Sequence, residues 1–235
     1  MGFFDFITEI PPYCENSDAN LRLNKRYKMI VEPFRGQLEG ARVLDLGAHD
    51  GRWSYALAEA GARQVVGIEA RSDLIARFSR FPDTPFKKRV DLRLGDVFEA
   101  LESFVSDGEE FDVVAVFGIY YHIMDHFRLL QLIRLVGAKL VIIDSEFMLA
   151  KGPMIQLVFE KTSTDLNAAP QIAGQERAVV GIPSFRAMNA MAQALGYDLI
   201  WGRAGEMFGG DRKGIQDYFR TERMRRAACV LHSDS

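Results

Sequence analysis

Only two cysteines, Cys14 and Cys229, occur in the chain, far apart and in no paired motif. That excludes a disulfide framework and leaves no thiol cluster for zinc or redox chemistry. No apolar run is long enough to cross a bilayer without charges. The stretch Met1 to Ile10 carries Asp5 and Glu9 and lacks a basic n-region, so no signal peptide is expected there. Gly2 opens a myristoylation-like pattern, but Phe6 stands where Ser or Thr is required. The net charge of −3 supplies no global drive toward nucleic acid or an anionic membrane. Two sequence signatures are also missing. No G-x-G-x-x-G follows a strand, which excludes a dinucleotide fingerprint, and no Gly-Lys-Ser/Thr completes a Walker P-loop.

What is present fits one compact domain. With 235 residues, 48% hydrophobic and 26% charged, the chain can bury a full core and stay soluble, and a cytoplasmic location is expected. Leu23, Tyr27, Ile30 and Phe34 keep helical spacing, predicting an amphipathic helix that ends near Pro33 to Gly36. Strands are expected at Ala41 to Leu46, Gln64 to Ile68, Val90 to Leu94, Phe111 to Phe117 and Leu140 to Ile143. Helices alternate with them, Ser72 standing as a cap for the one from Asp73 to Arg80. Strands apolar on both faces in β-α alternation predict an α/β fold: a Rossmann-like, seven-stranded, mostly parallel sheet with helices on both faces and an antiparallel last strand.

Beyond residue 147 the rhythm breaks. Met154 to Glu160 reads as a short strand or part of a cap, and Thr162 to Gly181 as a long polar loop. Pro183 is placed to open a helix, Asp198 to Trp201 to form a sixth strand, and Arg226 to Leu231 the last. The expected organisation is a helical cap segment at 1–40 and a catalytic domain at 41–235. That domain carries a lid-like insertion at about 148–182 and a loop at about 202–222, over the active edge or forming a homodimer contact.

The stretch from Arg42 to Gly51 is a buried strand that stops at an acid and turns on glycines into a helix. Its pattern V-L-D-L-G-x-x-x-G, with Asp45, Gly47 and Gly51, resembles motif I of class I S-adenosylmethionine-dependent methyltransferases. Glu69 matches the acid that in this family binds both ribose hydroxyls, and one ionised carboxylate can accept both. Asp96, in Gly95-Asp96-Val97, matches the residue that meets the adenine amino group. The resemblance implies S-adenosyl-L-methionine as cofactor, held by Asp45, Gly47, Ala48, His49, Gly51, Glu69, Ala70, Asp96, Val97 and Phe117.

A narrower resemblance begins at Phe117. The run Gly118-Ile119-Tyr120-Tyr121-His122 is similar to the G-x-x-Y-H stretch of tRNA wobble-uridine carboxymethyltransferases and their small-molecule relatives. The later Ile182-Pro183-Ser184 fits that branch's I-P-S element. Two departures separate the chain from it: a much shorter basic N-terminal extension, and Ala48-His49-Asp50 inside motif I. The first weighs against RNA as acceptor.

Methyl transfer needs an acceptor lone pair in line with the sulfonium, and a base if the acceptor carries a proton. His122 is the candidate base, with Tyr121 orienting the acceptor or the methionine carboxylate. A structural histidine bonded to a carbonyl is the competing role for His122. Asp144 and Glu146 stand where a catechol-type methyltransferase would bind a divalent metal, but no ligand spacing is recognisable and no metal is expected. The leading expectation is methyl transfer to O or N of a small molecule. The alternatives are a tRNA-modifying alkyltransferase of the wobble-uridine type and a non-catalytic regulatory subunit that binds the adenosyl ligand.

Overall fold

The computed structural model describes residues 2–16 and 18–233. Nine strands and eight α-helices follow one another within them. They are α1 (Ala19–Ile30), α2 (Arg35–Leu38), β1 (Arg42–Leu46), α3 (Arg52–Glu59), β2 (Gln64–Glu69), α4 (Ser72–Arg77), β3 (Val90–Leu94) and α5 (Val97–Asp107). There follow β4 (Val113–Phe117), α6 (His126–Leu135), β5 (Leu140–Met148), β6 (Ile155–Lys161), β7 (Arg177–Pro183), α7 (Phe185–Ala194), β8 (Tyr197–Trp201), α8 (Ala204–Phe208) and β9 (Met224–Ser233). Short 3-10 turns supply several connections, among them Tyr120–His122 and Gln216–Phe219.

The main sheet has seven strands in the order β3-β2-β1-β4-β5-β9-β8, with β9 antiparallel to both neighbours. Chain order reverses between β1 and β4, so a crevice opens at the carboxyl ends of those two strands. Apolar residues cover both faces. One core joins Leu23, Tyr27 and Ile30 of α1 and Trp53 and Leu57 of α3 to Val43, Val65 and Ile142. The other joins Leu101, Phe104, Leu129, Ile133 and Met188 of α5, α6 and α7 to Leu44, Val114 and Ile143. No helix among the described residues is long and apolar enough to cross a membrane.

Several elements differ from the sequence-based expectation, each for a local reason. Strand β5 runs on past Asp144 to Met148 because β9 pairs with it along its whole length. The expected loop at 162–181 is shorter: Arg177–Pro183 forms β7, which pairs with β6 in a separate two-stranded sheet. Val179, Val180 and Ile182 supply the strand propensity that the polar flank hid. Pro183 therefore closes a strand instead of opening a helix, and Ser184 caps α7 by accepting from the Ala187 N–H. Ser72 is the first residue of α4, not its cap; Arg71 occupies the cap position with no side-chain bond.

Gly67, opposite Asp45 in β2, sits at a closely packed point of the sheet. A Cβ there would lie 2.6 Å from Leu92 and 2.9 Å from both Ala48 and Ser54. Gly67→Ala is expected to cost about 1–3 kcal/mol of unfolding free energy through overpacking, read as a lower urea midpoint at unchanged slope.

Candidate active site

The crevice between β1 and β4 is floored by the turn that follows β1. Gly47 and Gly51 have φ of 72° and 79°, and His49 between them is left-handed at 56°. Left-handed backbone is cheap for glycine and costly for histidine, so His49 is held there by its surroundings. Its Nδ1 accepts from the Asp50 N–H at 2.8 Å, and its backbone N–H donates to Glu69 Oε2 at 2.9 Å. Asp50, buried, accepts from Arg52 Nε at 2.7 Å and from the Tyr13 hydroxyl. Burial alone would raise Asp50, but the Arg52 charge and these bonds outweigh it and hold the carboxyl well below the usual range. Asp50 thus braces the turn from below.

The three other acids sit at three depths. Asp45 is 1% exposed, beneath the turn, and accepts from the Ser54 hydroxyl at 2.6 Å. Burial pushes its carboxyl up to about 7, against the pull of Ser54 and with the help of the Glu69 charge. Its position allows an electrostatic influence on a ligand above the turn, with Ala48 lying close by in the floor. Glu69 ends β2 and is 9% exposed; Oε1 accepts from the Arg71 N–H at 3.0 Å, leaving further lone pairs on both oxygens. Burial raises its pKa, partly offset by the His49 and Arg71 amides. Asp96 is exposed and caps α5, Oδ1 accepting from the N–H groups of Phe98 and Glu99. Ala70 is exposed beside Glu69, whereas Val97 and Phe117 are buried, the latter edge-on to Trp53 at 5.5 Å. The ring nitrogen Nε2 of His49 is buried and makes no hydrogen bond.

After β4 the chain makes the 3-10 turn that carries the candidate base. His122 Nδ1 lies 2.7 Å from Glu160 Oε2, while Nε2 is buried and unpartnered. The Tyr121 ring packs against it at 3.9 Å, and the Tyr121 hydroxyl accepts from Arg226 at 3.0 Å. Tyr120 points the other way, fully buried against His126. His126 does not join His122: its Nε2 meets the Gly181 carbonyl at 3.1 Å. Glu160 comes from β6, and its effect on His122 was not legible in the sequence. Burial would raise this carboxyl, but the bonds from His122 and the Ala168 N–H hold it below its ordinary value.

The β6–β7 connection is fastened over this end of the sheet. The Arg71 guanidinium donates to five backbone carbonyls, those of Thr162, Thr164, Asp165, Asn167 and Ala168, at 2.7 to 3.2 Å. Arg77 adds an ion pair with Asp165 at 2.7 Å. On the opposite flank Asp144, fully buried, accepts from Arg26 Nε and the Tyr218 hydroxyl, both at 2.8 Å. Burial would raise Asp144, but the charges of Arg26 and Arg226 hold it below the usual carboxylate range. Glu146 faces Arg220 at 3.3 Å. Both acids are thus engaged by arginines, and no group of three or more His, Cys, Asp or Glu among the described residues is placed to hold a metal.

Sheet order, the left-handed turn and the acids at successive strand ends define a class I S-adenosylmethionine-dependent methyltransferase. Residues 37–179 match a family model described as a methyltransferase domain, and the chain belongs to that family. Two curated relatives are named tRNA U34 carboxymethyltransferase. The one from Alcanivorax borkumensis is 32% identical over 119 residues, 48% of this chain and 34% of the relative. The one from Campylobacter hominis is 28% identical over 104 residues, 43% of this chain and 34% of the relative. The match thus spans about a third of each relative's length.

Solved structures share the fold at low identity. The N-terminal domain of EvdMO1 with S-adenosylhomocysteine bound superposes with a TM-score of 0.64 at 18% identity, over 87% of this chain and 79% of that one. The magnesium protoporphyrin IX methyltransferase of Synechocystis PCC 6803 gives 0.56 at 13%, over 92% and 82%. The 1,6-didemethyltoxoflavin-N1-methyltransferase of Burkholderia thailandensis gives 0.55 at 16%, over 94% and 81%.

Asp45 generates a pH prediction. Its folded value of about 7 lies above the ordinary 3.8, so the folded chain keeps a proton that the unfolded chain has released. Its contribution to stability is therefore lost as pH rises from about 4 toward 7. Asp45→Asn removes this cost. The melting temperature of the variant relative to wild type is expected to rise between pH 5 and pH 8.

Proposed function

We propose that the chain transfers a methyl group from S-adenosyl-L-methionine to an oxygen or nitrogen of a small-molecule acceptor, with His122 as base and Glu160 as the residue that positions it. The observation that carries this reading is the buried, unpartnered Nε2 of a histidine whose Nδ1 is fixed on a carboxylate, directly after β4. In that tautomer Nδ1–H donates to Glu160 and Nε2 is the free lone pair. Glu160 stabilises the cation that forms when the acceptor proton arrives.

The cofactor brings an activated methyl group, so the protein's task is chiefly placement. Glu69 would accept from the two ribose hydroxyls and Asp96 from the adenine amino group, through oxygens not used by the cap. Gly47, Ala48, His49 and Gly51 would line the methionine side above Asp45, with Ala70, Val97 and Phe117 bordering the nucleoside. Nε2 of His49, buried and unpartnered, would add a donor there. Residues 1–40, the insertion at 148–182 and the loop at 202–222 would shape the acceptor side.

A second reading, alkyl transfer to a wobble uridine of tRNA, is supported by the names of the two curated relatives. The net charge of −3 favours the small-molecule reading.

Three kinds of measurement test this. Calorimetry with S-adenosylhomocysteine is expected to show binding that Glu69→Ala weakens by at least about tenfold through loss of the hydroxyl acceptor. With methyl-labelled cofactor and a cell extract separated by size, label is expected in the small-molecule fraction; label in tRNA instead overturns the choice of acceptor. His122→Asn should lower turnover by about 10²–10⁴-fold without changing S-adenosylhomocysteine affinity. Glu160→Gln should lower kcat less and shift its pH profile, with KM nearly unchanged. Cofactor binding with no labelled product would replace catalysis by a regulatory role.

A further inference from the structure

A cavity of about 690 Å³ lies at the β8–β9 end of the sheet, outside the crevice between β1 and β4. Its size suits a small molecule. Aromatic and apolar side chains make most of its wall, among them Met29, Phe185, Trp201 and Phe219. Trp201 is fixed by its indole N–H on Asn189 Oδ1 at 3.0 Å and by Phe185 at 4.7 Å between centroids. The wall contains three arginines and no carboxylate. Arg203 is paired with Glu206, and Arg226 with Asp217 and Asp144. Arg225 differs. Half-buried, its guanidinium lies 5.1 Å from the Phe185 ring centre, and it has no ion-pair partner among the described residues. A cation held against an aromatic ring, in a cavity without an acid, is matched by a planar anion that can stack and accept two N–H bonds at once.

The cavity sits at the active edge. Arg225 and Arg226 pair in register with Phe147 and Glu146 near the carboxyl end of β5, beside β4. Arg226, which lines the cavity, also donates to the Tyr121 hydroxyl next to His122. Arg225 and Arg226, consecutive in β9, face opposite sides of the sheet, and the cavity touches both; Arg226 and Tyr121 stand between its Arg226 side and His122.

We propose that this cavity binds the anionic aromatic part of the methyl acceptor, with Arg225 as the residue that selects for the anion. The inference deepens the small-molecule reading and rests on it. The acceptor's carboxylate, or an equivalent planar anion, pairs with Arg225 while its ring lies against the paired Phe185 and Trp201 side chains. The atom to be methylated reaches past Tyr121 toward His122.

The test uses the full chain saturated with S-adenosylhomocysteine and two probes of one shape, 2-naphthoate and neutral 2-naphthylmethanol, titrated by calorimetry. The naphthoate is expected to bind at least about tenfold more tightly than the alcohol, as a charge-assisted pair requires. Arg225→Met should abolish that preference while leaving S-adenosylhomocysteine affinity unchanged, which also shows that the variant is folded. Arg225→Lys should retain part of the preference, and Ala204→Trp, which fills the cavity, should weaken both probes. Equal affinity for the two probes, no naphthoate binding to the loaded protein, or a preference that survives Arg225→Met each overturns the inference. Failure of S-adenosylhomocysteine to bind would strike the cofactor reading instead, and the two failures are thereby distinct.

Discussion

The two oxygens of Glu69 each hold a backbone N–H, one from His49 in the glycine turn and one from Arg71 at the start of α4. The turn after β1 is already held to the end of β2 by the Gly47 and Ala48 N–H groups, which donate to the Ile68 carbonyl at 3.0 and 2.9 Å. A single buried carboxylate ties the start of α4 to them. Around it, the left-handed His49 is kept in place by Asp50, which is in turn braced by Arg52 and Tyr13 from the N-terminal segment. From Arg71 the same chain of contacts continues into the β6–β7 connection, then through Ala168 to Glu160 and His122. The proposed adenosyl-binding residues and the proposed base thus belong to one continuous network. Its energetic logic is that of buried polar groups: apart from Nε2 of His49 and of His122, each is satisfied by another, so a loss at one point leaves its neighbour unpaired.

The other flank follows the same rule with full charges. Asp144 is buried among Arg26, Arg226 and Tyr218, and Arg226 reaches Asp217, which Arg22 also pairs at 2.6 Å. Ion pairs this deep are weak evidence for net stability, because desolvation consumes most of the attraction. They do fix which side chains stand at the end of β5, bringing α1, β9 and the turn Gln216–Phe219 to one place. That is why helix α1 buries Arg26 along with its apolar stripe.

What could be read from sequence was whatever local pattern decides. Apolar runs located the parallel strands, and the spacing of Gly47 and Gly51 after Asp45 separated this turn from dinucleotide and phosphate loops. Tertiary pairing was not legible. Nothing near Glu160 says that it will meet His122, 38 positions earlier, because that contact depends on the hairpin folding back. The extension of β5 beyond Asp144 depended on β9, which lies more than 70 residues later. Asp45 had the same limit. Its strand-end position was evident, but its depth under the turn was set by Ser54 and by the closeness of Gly67. His49 and Asp50, irregular as motif residues, became intelligible only with Tyr13 and Arg52 beside them.

The Arg71 clamp concentrates the hold on a whole segment in one side chain. Five carbonyls from residues 162–168 converge on one guanidinium, so they cannot be surrendered one after another along the loop. Withdrawing that side chain strands all five at once, and a lysine, with three donors and no planar fork, could not replace it. The attachment of residues 162–168 to the start of α4 therefore rests largely on one side chain.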